Sequence, residues 1–192
     1  DIQKQDNESL RFTALNRVPT AQTRDQKMKL TVGGVYLQAI LQPTDWIKIT
    51  PAYRMDWVSG NYRNRLNNTS ARANDYGTIK QPKLSVALTP LEGLTVYGNW
   101  GKTFQIGTES GAYLIAPRLV DLAPSINEGW EAGIKLKRGP VEGRIAAWRQ
   151  TATGEIKRKL NDPLGDFDNL GGTRRKGVDV QLSAKPVDGL SV

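Results

Sequence analysis

From about residue 35 onward the chain alternates apolar and polar positions one by one. Between positions 46 and 57, one row holds Ile47, Ile49, Pro51, Tyr53, Met55 and Trp57. The other holds Trp46, Lys48, Thr50, Ala52, Arg54 and Asp56. Pro51 would break a helix interior, and the charges would spread around every helical face. Successive side chains of a strand point to opposite faces, so this segment predicts a strand with one apolar and one polar face. The same rule predicts strands from the rows Val35, Leu37, Ala39, Leu41; Leu84, Val86, Leu88; Leu94, Val96, Gly98, Trp100; Trp130, Ala132, Ile134, Leu136; and Val178, Val180, Leu182, Ala184. Residues 141–149 are less regular, because Trp148 leaves the row of Val141, Ile145 and Ala147. Seven strands are predicted, with an eighth beginning at Leu190.

The connections alternate as well. Short turns with Pro, Gly or Asp fall at 43–45, 90–93, 138–140 and 186–189, at near-constant spacing. Long polar stretches, at about 58–79, 105–127 and 151–170, read as loops. Residues 1–28 read as a further loop with the remnant of a preceding strand. The repeating unit is a hairpin of short turn, strand, long loop and strand. This predicts an all-β, antiparallel up-and-down meander.

Such a meander has two solutions. A soluble sandwich buries its apolar rows between two sheets, whereas a transmembrane barrel turns them outward to lipid. Three features favour the barrel. The loops are too long and polar for a compact soluble domain. The strands, at about 9–11 residues, suffice to cross a bilayer with tilt. Trp57, Trp100 and Trp130 fall in apolar rows near the long-loop ends, where an interfacial aromatic girdle belongs. A soluble β-sandwich binding module, with these tryptophans as core anchors, is the alternative. Trp46 fits neither row and is placed at the opposite interface or in its turn.

Composition narrows the chemistry. The 192 residues contain neither Cys nor His, which removes disulfides, thiolate metal sites, cysteine nucleophiles and the usual general base. The net charge of +8 is dispersed, with its densest runs at 157–159 and 174–176, and does not point to nucleic acid. Gly101-Lys102-Thr103 lacks the glycine five residues upstream that a phosphate-binding loop needs. The Asp166–Gly171 run lacks the ligands that a calcium loop requires. Glu128 and Glu131 near one strand's end read as lumen or loop residues rather than an acid–base pair. No cofactor, metal or catalytic site is expected.

Several stretches together resemble the barrel of TonB-dependent outer-membrane receptors. They are Val35–Gln38 followed by Trp46–Asp56 with Tyr53-Arg54-Met55-Asp56; Gln81–Ser85 followed by Leu94–Phe104; Leu122–Lys135 with Glu131-Ala132-Gly133-Ile134-Lys135; and Asn169–Val180. Two departures are Met55 within the Arg-aromatic-Asp element and Gln105-Ile106 where the family often has Arg and Pro. The resemblance covers about residues 29–192 and implies part of a large barrel, an internal fragment without the plug domain. It implies location in the bacterial outer membrane and energised uptake of a ferric siderophore or a similar scarce nutrient. The implied partners are the plug domain of the same full-length chain, the TonB energising complex, the ferric ligand and outer-membrane lipid. A passive porin-type barrel is a further alternative. Under the resemblance, Tyr62, Arg63, Arg65, Arg72, Tyr76, Tyr113 and Arg118 become loop candidates for the ligand, since guanidinium groups pair with anionic oxygens and aromatic faces pack flat ligands. For any one arginine, contact with lipopolysaccharide phosphates or solvent is the plainer alternative. The polar row, including Lys48, Arg54, Lys83, Asn99, Glu131, Lys135 and Asp179, would hydrogen-bond the plug.

Overall fold

A computed structural model describes residues 1–161 and 166–184. In chain order its strands are β1 (Ile2–Leu15), β2 (Val18–Gln38), β3 (Leu41–Thr44), β4 (Ile47–Asn64), β5 (Thr69–Arg72), β6 (Ile79–Leu91), β7 (Leu94–Gln105), β8 (Ser125–Arg138), β9 (Val141–Thr153), β10 (Ile156–Arg158), β11 (Phe167–Asn169) and β12 (Thr173–Ala184). Among the described residues, one 3-10 turn spans Glu109–Ala112. One antiparallel sheet runs in the order β1-β2-β4-β6-β7-β8-β9-β12, with β3 and β5 paired to β4, while β10 and β11 form a separate hairpin. Among the described residues the sheet is open, with β1 and β12 at its edges.

The predicted rows are continuous across the strands. Val96 stands opposite Ile134, Ile134 opposite Ile145, and Ile145 opposite Val180, all on one face. Among the described residues no second sheet covers that face: Leu37 is 76 % exposed, and Val180 and Leu182 are each 73 % exposed. The sandwich reading needed these rows buried between two sheets, and it is overturned. Trp57, Trp100 and Trp130 lie exposed on the same face, the last two directly opposite each other. Trp148 points to the other face, against Gly177, which explains the irregular row in β9. At the short-turn end, Gly93 and Gly139 take positive φ values of 76° and 57° to close the β6–β7 and β8–β9 hairpins. Trp46 sits in the β3–β4 turn, where its carbonyl accepts from Thr89.

Four expectations are corrected. Residues 1–28 are not a loop: β1 and the first half of β2 pair along their length and close at Asn16 and Arg17, both with positive φ. Measured from Gly33, which stands opposite Trp57, this hairpin rises roughly 50 Å. Its strands are mostly polar, with Leu10, Phe12, Leu15 and Val18 scattered and exposed near the tip, so they lack the sustained apolar row that marks a half-buried strand. Residues 35–42 are not one strand, because β2 ends at Gln38 and β3 pairs with β4 alone. The stretch 58–79 contains the end of β4 and all of β5, and the stretch 151–170 contains β10 and β11. The 186–189 turn and the strand at Leu190 lie outside the described residues, so the eighth long strand of the path is β1.

The buried apolar cluster lies on the polar-row face, at the loop end. It is formed by Met28 and Leu30 of β2, Tyr62 of β4, and Ala73, Ala112 and Tyr113 of the loops. The loop 106–124 is thereby folded back onto the sheet.

Candidate ligand-binding cleft

Two loops are joined by polar groups taken out of water. Asn74 is 1 % exposed and its hydrogen bonds are filled. Its Nδ2 donates to the Gly111 carbonyl at 2.9 Å and to Tyr76 Oη at 3.2 Å, and its Oδ1 accepts from Leu122 N–H at 3.2 Å. Gly107 N–H also donates to Tyr76 Oη. Burial pushes the Tyr76 and Tyr113 hydroxyls above their usual pKa, so both stay neutral. Outside this knot, Arg72 donates two bonds of 2.8 Å to Asp121, which also accepts from Asp75 N–H. The Arg72 hydrogen bonds hold the Asp121 carboxyl below its ordinary value. The β10–β11 hairpin joins through Asn169, which exchanges bonds with both backbone groups of Ala123. Phe167 packs on Gly111, where an added Cβ would meet the ring at 3.0 Å.

These loops and the base of the projecting hairpin enclose a cleft of about 580 Å³. Its basic and aromatic lining includes Arg24, Tyr62, Arg118, Arg158 and Phe167. Arg118 is the group with spare capacity. Its side chain is 8 % exposed and donates through Nη2 to the Tyr113 carbonyl. Its Nε and Nη1 have no hydrogen-bond partner among the described residues, and Asp166 stands 3.9 Å from Nη1, too far for a hydrogen bond.

The seven loop residues singled out from sequence thus separate. Tyr62 and Arg118 line the cleft. Tyr113 and Tyr76 are buried supports, with Tyr62 and Tyr113 rings 5.9 Å apart. Arg72 is committed to Asp121, and Arg65 to Glu8 and Asp25. Arg63 is exposed, on the same face as Trp57, and donates to Asn68. Sequence reasoning missed Arg24, because the mostly polar hairpin looked like loop, and Asn74, because nothing local marks an asparagine for burial.

Nearer the short turns, the polar row of the wall satisfies itself. Asp56 is fully buried; Arg54 Nε donates to it at 2.8 Å and Gln81 Nε2 at 2.5 Å. A Cβ on Gly34 would come within 2.4 Å of both the Arg54 guanidinium and the Asp56 carboxylate, so any side chain there would displace this ion pair. Tyr97 Oη donates to Glu131 at 2.6 Å and accepts from Arg144 Nε at 2.7 Å. Glu128 and Glu131 lie on opposite faces of β8, which removes any acid–base pairing between them.

The family described as TonB dependent receptor-like, beta-barrel, matches residues 3–191. The chain belongs to this family. It is similar in fold to the ferric citrate transporter FecA in its unliganded form, at 18 % identity and TM-score 0.81, over 95 % of this chain and 28 % of that one. It is also similar to the ferric-catecholate import receptor Fiu of E. coli K12, at 14 % identity and TM-score 0.65, over 97 % and 32 %. A third similarity is to the ferripyoverdine receptor of Pseudomonas aeruginosa, at 16 % identity and TM-score 0.65, over 88 % and 22 %. No curated protein sequence matches. The chain spans less than a third of each of these three structures. TonB-dependent receptors are transporters, not enzymes, and their barrels stand in the bacterial outer membrane. The exposed apolar rows therefore face lipid, the polar rows face the lumen, and the sheet is a sector of the barrel wall. Its long loops rise at one rim and its short turns lie at the other.

Proposed function

We propose that this sector belongs to a receptor for energised uptake of a ferric siderophore or a similar chelated nutrient, and that the cleft beneath the long loops contributes to ligand capture. The observation that carries this reading is the Arg118 guanidinium, which lines a lumen-side cleft with its Nε and Nη1 buried and without a hydrogen-bond partner among the described residues. An anionic chelate supplies the oxygens such a group lacks. Arg24, Arg158 and Tyr62 add cationic and aromatic groups to a lining that also carries Glu8, Glu109 and Asp166. Tyr76, Tyr113, Arg72 and Arg65 serve the site by fixing its loops, and Arg63 stands apart from it. The lumen row, with Lys48, Lys83, Asn99, Lys135 and Asp179, contacts the plug domain, and the TonB complex supplies the energy through that domain. Trp57, Trp100 and Trp130 form the interfacial girdle.

The test is growth and uptake under iron limitation. Cells carrying the full-length receptor as their only importer of this class are offered ferric citrate, ferric catecholates and ferric hydroxamates separately. One class should support uptake, and Arg118→Gln should weaken its binding roughly tenfold to hundredfold. Uptake of no ferric chelate, or binding indifferent to Arg118, would overturn the proposal.

A further inference from the structure

The chain is strongly basic, with a net charge of +8, yet the cleft is not. Three arginines, Arg24, Arg118 and Arg158, and three acids, Glu8, Glu109 and Asp166, line it, so its formal charges cancel. Two of the acids are already engaged: Glu8 pairs with Lys27 and Arg65, and Asp166 with Lys159. Glu109 is exposed, and its carboxylate makes no hydrogen bond or ion pair among the described residues. The groups left to be satisfied are Arg24, the buried Nε and Nη1 of Arg118, and Glu109, so the cleft offers both signs of charge.

The backbone at Glu109 is held against its preference. Its φ is 48°, in the left-handed region that glycine and asparagine occupy more readily. Such a conformation persists where the surroundings over-determine it. Here the Gly111 carbonyl accepts from buried Asn74, the Phe167 ring packs on Gly111, and Gly107 N–H donates to Tyr76 Oη just before the turn. The same knot that joins the loops therefore fixes a carboxylate in the cleft that Arg118 lines.

We infer that the cleft selects a ferric chelate of mixed charge, one that presents a carboxylate to Arg118 and an ammonium to Glu109, over a chelate that is anionic throughout. This rests on the ferric-chelate reading above and narrows it. A chelate without anionic oxygens would leave the buried guanidinium unsatisfied. A polyanion would bring its charges against Glu109 and the two other carboxylates within about 580 Å³, and such like-charge contacts select against it. A zwitterion meets both ends of the cleft with charge-assisted hydrogen bonds.

The test measures binding to purified full-length receptor by isothermal titration. The probe is a linear ferric trihydroxamate with an ammonium at one terminus and a carboxylate at the other, together with its N-acetyl and carboxamide derivatives. Ferric citrate serves as the polyanion. The parent chelate should bind roughly tenfold or more tightly than ferric citrate, and N-acetylation should weaken it roughly tenfold. Glu109→Gln should weaken the parent by a similar factor and leave the N-acetyl derivative unchanged. Arg118→Gln should weaken the parent and leave the carboxamide unchanged. Heat-dependent gel mobility confirms the folded barrel, and the Glu109 and N-acetyl comparisons decide the matter should Arg118→Gln fail to assemble. Tighter binding of ferric citrate, acetylation without cost, or equal weakening of parent and N-acetyl derivative by Glu109→Gln would each overturn this inference and leave ferric-chelate uptake standing. Binding of no ferric chelate at all would instead overturn the uptake proposal, and this inference with it.

Discussion

The barrel wall and the β1–β2 hairpin that rises from it are built from the same antiparallel ladder, yet they are held by different forces. In the wall, side chains on one face meet lipid and those on the other meet a lumen network such as Arg54, Asp56 and Gln81. In the hairpin both faces meet water: Leu10, Phe12, Leu15 and Val18 are each at least half exposed. Its side-chain support is a few exposed ion pairs, such as Lys27 with Asp6 and Glu8, and the Thr13–Thr20 hydrogen bond. Exposed pairs contribute little. The backbone ladder and a tight turn therefore set the hairpin's shape, while the wall is set by its two unlike surroundings.

The sharpest way to break this contrast is at Asp56. Asp56→Ala removes the buried acceptor shared by Arg54 and Gln81, leaving Arg54 only the exposed Asp1, and should destabilise the folded barrel by about 3 kcal/mol, read from denaturant unfolding in lipid vesicles. Next comes the lipid face, where Ile134→Arg should cost about 2–4 kcal/mol in the same assay. At the junction between wall and loops, Asn74→Ala orphans the Gly111 carbonyl and Leu122 N–H. It should cost about 1–3 kcal/mol and speed proteolysis within 106–124. The Arg72–Asp121 bridge gives a pH handle. Because the Asp121 carboxyl is held below its ordinary value of 3.8, its stabilisation is complete above that value and is lost as the pH falls through the depressed one. Hydrogen exchange of the two loops should rise over that acid range, and Arg72→Gln should abolish the dependence. The smallest effect belongs to the hairpin: Phe12→Ser should shift stability by no more than about 0.5 kcal/mol, because Phe12 is already half exposed to water. A large loss there would show that another part of the full-length receptor covers it.

These differences also explain which parts were legible in the sequence. Ile47 to Trp57 announced a strand because unlike solvents on its two sides impose period two. The polar hairpin faced water on both sides, so its strands carried no such mark and passed for loop. Arg118 was recognised as a basic loop residue, but Tyr113 and Tyr76 carry the same composition and turned out to be supports rather than cleft walls. Arg24 was hidden with the hairpin. Whether an arginine is committed to an acid, as Arg72 is to Asp121, depends on loops that meet across 49 residues of chain.

Alternation, turn placement and the absence of Cys and His were sufficient by themselves to determine an all-β meander with short turns at one rim, long loops at the other and no thiol or imidazole chemistry. Those features follow from strand geometry and composition, which are local. Only the tertiary structure decided that the apolar rows stay uncovered, that Arg118 keeps donors in reserve, and that Glu109 lines the same cleft. Such facts arise from register and from loop contacts between residues far apart in the chain, and no local pattern encodes them.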